Sequence, residues 1–257
     1  MARYRLHHSL SRRHVIRTLY RWAKKHFSDT RRCTQQKVTD AYLVALHLSR
    51  LIFKHPYPSV WWNMLKDGRP NLPSYTQAFV RINRLLEQLQ QVACPVRAYQ
   101  EVVIDSMPLP ICRPKRAKRC RFAGAKWGYG TQGKFYGYKL HAWMLPSGEI
   151  VQYNVKPANL HDLTASYELN VQWGKYGGPK VIGDKGYCCL GYIHPPKKNT
   201  RYDTGWRLDR HPRMRKRIET VFSQLVAEGI RSLQAKTLRS LQVRVVLAVL
   251  AHNLTKP

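Results

Sequence analysis

The chain has 257 residues, 44% of them hydrophobic, which is enough for a sizeable core and excludes global disorder. Lys and Arg number 45 against 14 Asp and Glu, a formal net charge of +31, so the composition points to a polyanionic partner, most simply nucleic acid. No run of about 18 apolar residues occurs, which excludes a membrane helix, and the basic N-terminus lacks the apolar centre of a secretory signal.

Charge alone leaves a ribosomal-type RNA binder and a solubility charge open. The six cysteines form no C-x-x-C pair and no zinc-finger spacing. They read as reduced thiols in a cytoplasmic protein.

In chain order, residues 1–37 are dense in arginine and lysine, and Leu19, Tyr20, Trp22, Ala23 and Phe27 suggest a helix near 10–27. Thr39-Asp40 is a helix start, and the apolar series Leu43 to Ile52 makes a largely buried helix. A short helix follows around Val60–Leu65, ended by Asp67-Gly68. After Pro73-Ser74, Phe79, Ile82, Leu85, Leu86 and Leu89 recur at helical spacing, with Gln77, Arg81 and Arg84 on the outer face. Three short helices with a basic last one fit a helix-turn-helix module. They equally fit a small packing domain that touches no base.

Cys94-Pro95 reads as a linker, which divides the chain into residues 1–94 and 95–257. Val102-Val103-Ile104 is an apolar strand that delivers Asp105, and Pro108 and Pro110 are expected to stop it. Residues 113–134 read as a long basic, glycine-rich loop, mobile without its ligand. Phe135–Leu145 and Ile150–Val155 form a hairpin through Pro146-Ser147-Gly148-Glu149. Alternation puts Lys139 and His141 on one face, with a hydrogen-bonded, structural His141. His161-Asp162 opens a helix with Asp162 as its cap, and Trp173-Gly174 and Gly177-Gly178 break the chain after it. Val181-Ile182 is a second buried strand, and it delivers Asp184 just before Lys185 and a turn at Gly186. Glu219 lies on a helix from about Met214 with a core face of Ile218, Val221, Phe222 and Leu225, and Arg215 stands four residues earlier at salt-bridge spacing. A last apolar helix covers about Leu238–Leu254.

Acid is scarce, so carboxylates at the ends of two buried strands draw attention. Phosphodiester chemistry needs an activated oxygen nucleophile and a stabilised leaving oxyanion, which two hard divalent ions on a few carboxylates can provide. The segments Val103-Ile104-Asp105-Ser106, Ile182-Gly183-Asp184-Lys185-Gly186-Tyr187 and Lys216-Arg217-Ile218-Glu219-Thr220-Val221-Phe222 closely resemble the DDE transposases of bacterial insertion sequences. The 34 residues between Asp184 and Glu219 match that family's habitual spacing, and 78 separate Asp105 from Asp184. In a related branch a Tyr and a Lys flank the Arg and Glu. Here Arg215 matches the Arg, whereas Pro212 and Val226 take the other two places.

The resemblance implies an α/β fold, a ribonuclease H-like mixed sheet flanked by helices, preceded by a small all-α N-terminal domain. It implies Asp105, Asp184 and Glu219 as catalytic ligands of two Mg²⁺ ions, with Mn²⁺ as a substitute. It implies an endonuclease that cuts insertion-sequence ends and transfers the freed 3′-hydroxyl to target DNA, acting as a homodimer in the bacterial cytoplasm at the nucleoid. Lys139, His161, Lys185, Arg215, Arg81 and Arg84 are the expected DNA contacts. The alternative is a non-catalytic basic nucleic-acid-binding protein, a decayed transposase copy.

Overall fold

The computed structural model describes residues 10–30, 36–95, 97–130, 132–171, 178–188, 191–230 and 235–256. The arginines at 3 and 5, Cys33, Cys189 and the Trp173-Gly174 and Gly177 breaks lie outside the described residues. Among the described residues no helix is long and apolar enough to cross a membrane.

These residues form two compact units. The first holds the chain up to Ala93, the segment Leu225–Ile230 and the stretch from Arg239 on. Its helices are α1 (Arg12–Ala23), α2 (Asp40–Ile52), α3 (Pro58–Asp67), α4 (Tyr75–Arg84), α5 (Leu86–Ala93) and, at the end of the chain, α8 (Leu238–Thr255). Local chemistry sets their starts. Ser11 accepts from the His14 N–H and Thr39 from the Tyr42 N–H. Ser74 and Gln77 form a reciprocal capping box at α4. The expected single helix after Ser74 is divided at Leu85, whose N–H turns back three residues to the Ile82 carbonyl.

By its contacts α8, from Arg239 on, groups with the helical unit. Long-range contacts explain this. Arg239 donates to both Glu87 carboxylate oxygens at 2.9 and 3.1 Å. The Arg244 guanidinium lies 5.6 Å from the Phe79 ring centre, and Asn253 donates to the Ala93 carbonyl.

The second unit runs from Cys94 to Gln224 with the short segment ending at Leu238. Its strands are β1 (Glu101–Cys112), β2 (Lys126–Gly130), β3 (Gly133–Met144), β4 (Ile150–Pro157) and β5 (Lys180–Ile182). Helix α6 (Asp162–Val171) links β4 toward β5, and α7 (His211–Ala227) follows. In the sheet, β1 lies between antiparallel β3 and parallel β5, while β2 and β4 share the far edge of β3. This is the mixed, helix-flanked sheet of a ribonuclease H-like α/β fold, preceded by helices. Val102, Ile104, Trp143, Val151, Leu169, Val181 and Tyr187 bury one face of it.

Two sequence expectations change here. Strand β1 does not stop at its prolines. The Leu109 carbonyl and Ile111 N–H face Gly137 of β3, so the nitrogens of Pro108 and Pro110 point to the other edge. There β5 pairs only Glu101–Val103, and no ladder bond is lost. The basic stretch 113–134 is also not one loop. It contains a 3₁₀ turn at Pro114–Arg119 and strand β2. Gly128 permits β2, since a side-chain carbon there would come within 2.4 Å of the Ala158 carbonyl oxygen.

Glu228 of the helical unit is buried with one carboxylate oxygen lacking a hydrogen bond. Burial pushes it up to about 7, against the pull of Lys54, Lys256 and Arg50. The folded state therefore holds this proton more tightly than the unfolded chain. Its contribution to stability is full below the usual carboxylate range and is lost as pH rises through about 7. Glu228→Gln should remove that loss. Urea unfolding at pH 5 and pH 8 should show the variant gaining about 1–3 kcal/mol on the parent protein at the higher pH. An unchanged gap would show that Glu228 is solvated after all.

Candidate active site

The site begins with the pairing of β1 and β5. Val103 lies opposite Ile182, so Asp105 stands two residues further along β1 and Asp184 two residues past the end of parallel β5, near enough for their charges to act on each other. Each carboxylate has one oxygen fixed by backbone. Asp105 Oδ1 accepts from the Ser106 N–H, and Asp184 Oδ1 accepts from the Gly186 N–H, both at 2.7 Å. Glycine is needed at 183, because a Cβ there would meet the Tyr187 ring at 2.8 Å.

A third carboxylate joins them. Asp162 Oδ1 receives the Lys139 ammonium at 2.8 Å, and its Oδ2 receives the Ser106 hydroxyl at 3.1 Å. The expected cap role therefore does not hold. Asp162 is the first helical residue of α6, and the Leu163 N–H is accepted by His161 Nδ1 instead. A carboxylate drawn across to β3 is not available to its own helix.

The electrostatics follow from this crowding. Burial pushes Asp105 up to about 6. The Ser106 N–H and Arg215 oppose that rise, and Asp184 and Asp162 add to it. Burial also raises the Tyr187 phenol, and the charges of Asp162, Asp105 and Asp184 raise it further. The Tyr187 hydroxyl is buried without a hydrogen-bond partner. His141 lies on the same face as Lys139, with Nδ1 at 3.9 Å from Asp162 Oδ1. It is fully buried, and neither ring nitrogen has a hydrogen bond, contrary to the expected bonded histidine. Burial lowers it to about 4, so the ring is neutral at pH 7.

The other sequence candidates divide. Arg215 of α7 acts on Asp105 electrostatically and makes no ion pair with Glu219. Glu219, one turn further along α7, is exposed. Lys185 and His161 are exposed beside Asp184 and Asp162. In the helical unit Arg84 is exposed, but Arg81 is not the free outer residue expected. It is tied to the Asp40 carboxylate and the Val38 carbonyl. Arg84 lies with Lys37, Asn71, Thr76, Gln77 and Val80 around a groove of about 700 Å³ along α4.

Among the described residues no three His, Cys, Asp or Glu side chains are close enough together to hold a metal ion. Asp105 and Asp184 supply hard oxygen donors, and neither has an ion-pair partner among the described residues. That pair suits a hard divalent cation, with waters and phosphate oxygens filling the remaining positions.

The family model for the transposase DDE domain matches residues 97–254. The chain belongs to the DDE transposase family. Comparisons with curated proteins and with solved structures returned no match. In this transposase, the residue that sequence reasoning undervalued is Asp162. The alternation of Lys139 and His141 was the available signal, since a lysine facing into a sheet requires an acid.

Asp162→Ala should strand the Lys139 ammonium, which is 15% exposed, and leave the Ser106 hydroxyl without its acceptor. The expected cost is about 1–3 kcal/mol in urea unfolding. Adding Lys139→Met should recover part of it. An unchanged midpoint in the single variant would show that the network does not support the site.

Proposed function

We propose that the protein cleaves DNA at insertion-sequence ends and joins the freed 3′-hydroxyl to target DNA, with Asp105, Asp184 and Glu219 as its catalytic acids. The placement of Asp105 on β1 and of Asp184 just past the end of parallel β5 carries this reading. Two carboxylates held side by side in a chain of +31 suit a site for cations and phosphate. Divalent ions, Mg²⁺ or Mn²⁺, when bound would activate the attacking oxygen and stabilise the leaving one. Asp105 and Asp184 would hold them from the sheet, and Glu219 from α7.

The remaining groups act on the DNA. Lys139, oriented by Asp162, presents one fixed positive charge near the carboxylates. Arg215 offsets the charge of Asp105, and exposed Lys185 lies beside Asp184. Neutral His141 and Tyr187 line the buried side and keep water out of it. In the helical unit, Thr76, Val80 and Arg84 recur at four-residue spacing on α4, as a helix laid in the major groove requires. This unit would recognise the ends, and two copies would bring two ends together.

A second reading, a DNA-binding copy without catalysis, is favoured by the exposed position of Glu219 apart from any three-acid cluster. One experiment separates the two. Incubated with DNA carrying the element's own ends, the protein should cut at those ends with Mg²⁺ and not with EDTA, and Asp184→Asn should bind without cutting. Cutting by Asp184→Asn removes that residue from the set, and binding without cutting by the parent protein selects the second reading. For the helical unit, Arg84→Ala with Thr76→Ala should cost about 1–3 kcal/mol per lost base contact on specific ends. Nonspecific binding should stay nearly constant. Equal loss on both kinds of DNA would assign α4 to the phosphate backbone.

A further inference from the structure

The basic stretch after β1 takes no part in the site described above. It is nonetheless built rather than loose. Its 3₁₀ turn buries Ala117, and Phe122 packs edge-on against Tyr138 at 5.7 Å. The Tyr138 hydroxyl donates to the Ala123 carbonyl. On this support Arg116, Arg119 and Arg121, joined by Lys236, surround a pocket of about 310 Å³. Ile111 and Phe122 give it an apolar wall, and the thiols of Cys112 and Cys120 lie within it.

No ion pair engages any of these four cations among the described residues. The Cys112 thiol does not neutralise them either. Burial, and then the neighbouring Cys120, push Cys112 up to about 11, so it stays an uncharged thiol at pH 7. Four uncompensated charges around a small concavity repel one another unless an anion sits among them. Three of the four are arginines, whose planar forks match phosphate oxygens. An apolar wall beside them suits a sugar or base edge rather than a free inorganic ion.

We propose that this pocket is a phosphodiester-binding subsite for the DNA backbone, remote from the catalytic acids. Its distance fits one strand of the same duplex. Cys112 lies seven residues beyond Asp105 on the continuous strand β1, about 23 Å at ~3.3 Å per residue. At ~3.4 Å per nucleotide step, that places the gripped phosphate about seven steps from the bond at Asp105. The inference rests on the DNA reading of the catalytic centre and adds to it a clamp that fixes the direction of the strand.

The two thiols are built-in reporters of the pocket, and Cys188, four residues past Asp184, reports the catalytic centre. The full-length protein would be labelled with N-ethylmaleimide in EDTA, with and without duplex DNA carrying the ends, and the peptides read by mass spectrometry. DNA should slow labelling of Cys112 and Cys120 as well as Cys188. Combined Arg116→Gln, Arg119→Gln and Arg121→Gln should abolish protection at Cys112 and Cys120 only. The same variant should lower the slope of log affinity against log salt by about 2–3. Protection of Cys188 alone, with an unchanged slope, overturns the subsite and leaves the catalytic reading standing. No protection at any of the three overturns both. Equal protection of Cys112 and Cys120 by a mononucleotide would assign the pocket to a free nucleotide instead of DNA.

Discussion

The whole site depends on three residues of parallel pairing. Strand β5 is only Lys180–Ile182, yet it sets Asp184 beside Asp105. A parallel pair that short gains little from its ladder. It is held by what surrounds it. Ile193 bonds back on the other edge, donating to the Val181 carbonyl and accepting from the Gly183 N–H. Val181 and Tyr187 enter the same apolar cluster as Val102, Ile104 and Trp143. Burial energy of ordinary core residues thus fixes the separation of two charged groups. The bare Cα of Gly183 lets the Tyr187 ring close over the turn that orients Asp184.

That placement carries an electrostatic cost, and the surrounding network limits it. Asp105 sits where burial and a second carboxylate both disfavour its charge. The protein does not answer with a direct ion pair. It gives Asp105 and Asp184 one backbone N–H each and keeps the Lys139 ammonium bound to Asp162. The outer carboxylate oxygens stay open. A lysine closing directly on Asp105 would cover the carboxylate that this arrangement leaves open. Asp162 is thus a spacer of charge: it restrains the cation and leaves the pair accessible.

What could be read from the sequence was local. Caps at Thr39 and Ser74, the hairpin turn at Gly148 and the delivery of Asp105 and Asp184 by short apolar runs all depend on neighbours within a few residues. What could not be read depends on distant partners. Arg81 looks free in sequence because Asp40 lies 41 residues away. Asp162 looks like a cap because Lys139 is on another element. The prolines of β1 look like breakers because nothing local reveals that β5 is too short to need their N–H groups. The partners of the last helix cannot be read locally either, because Glu87 and Ala93 lie more than 150 residues before the side chains that reach them.

The distribution of acid makes the functional case more strongly than the positive charge does. With 45 cations and 14 acids, nearly every carboxylate could have found a partner. Several did: Asp40 with Arg81, Glu87 with Arg239, Glu101 with Arg210, Asp162 with Lys139 and Glu168 with Lys156. These are the pairs that hold elements together. Asp105 is half-buried and has no ion pair among the described residues, and the charges that act on it include two further acids. Stability alone would place an apolar residue or a paired acid at such a position. Arg116, Arg119, Arg121 and Lys236 show the complementary pattern, without an ion pair among the described residues and gathered around a pocket. Along β1, then, Asp105 lacks an ion pair among the described residues, and so do the arginines gathered past the strand's far end.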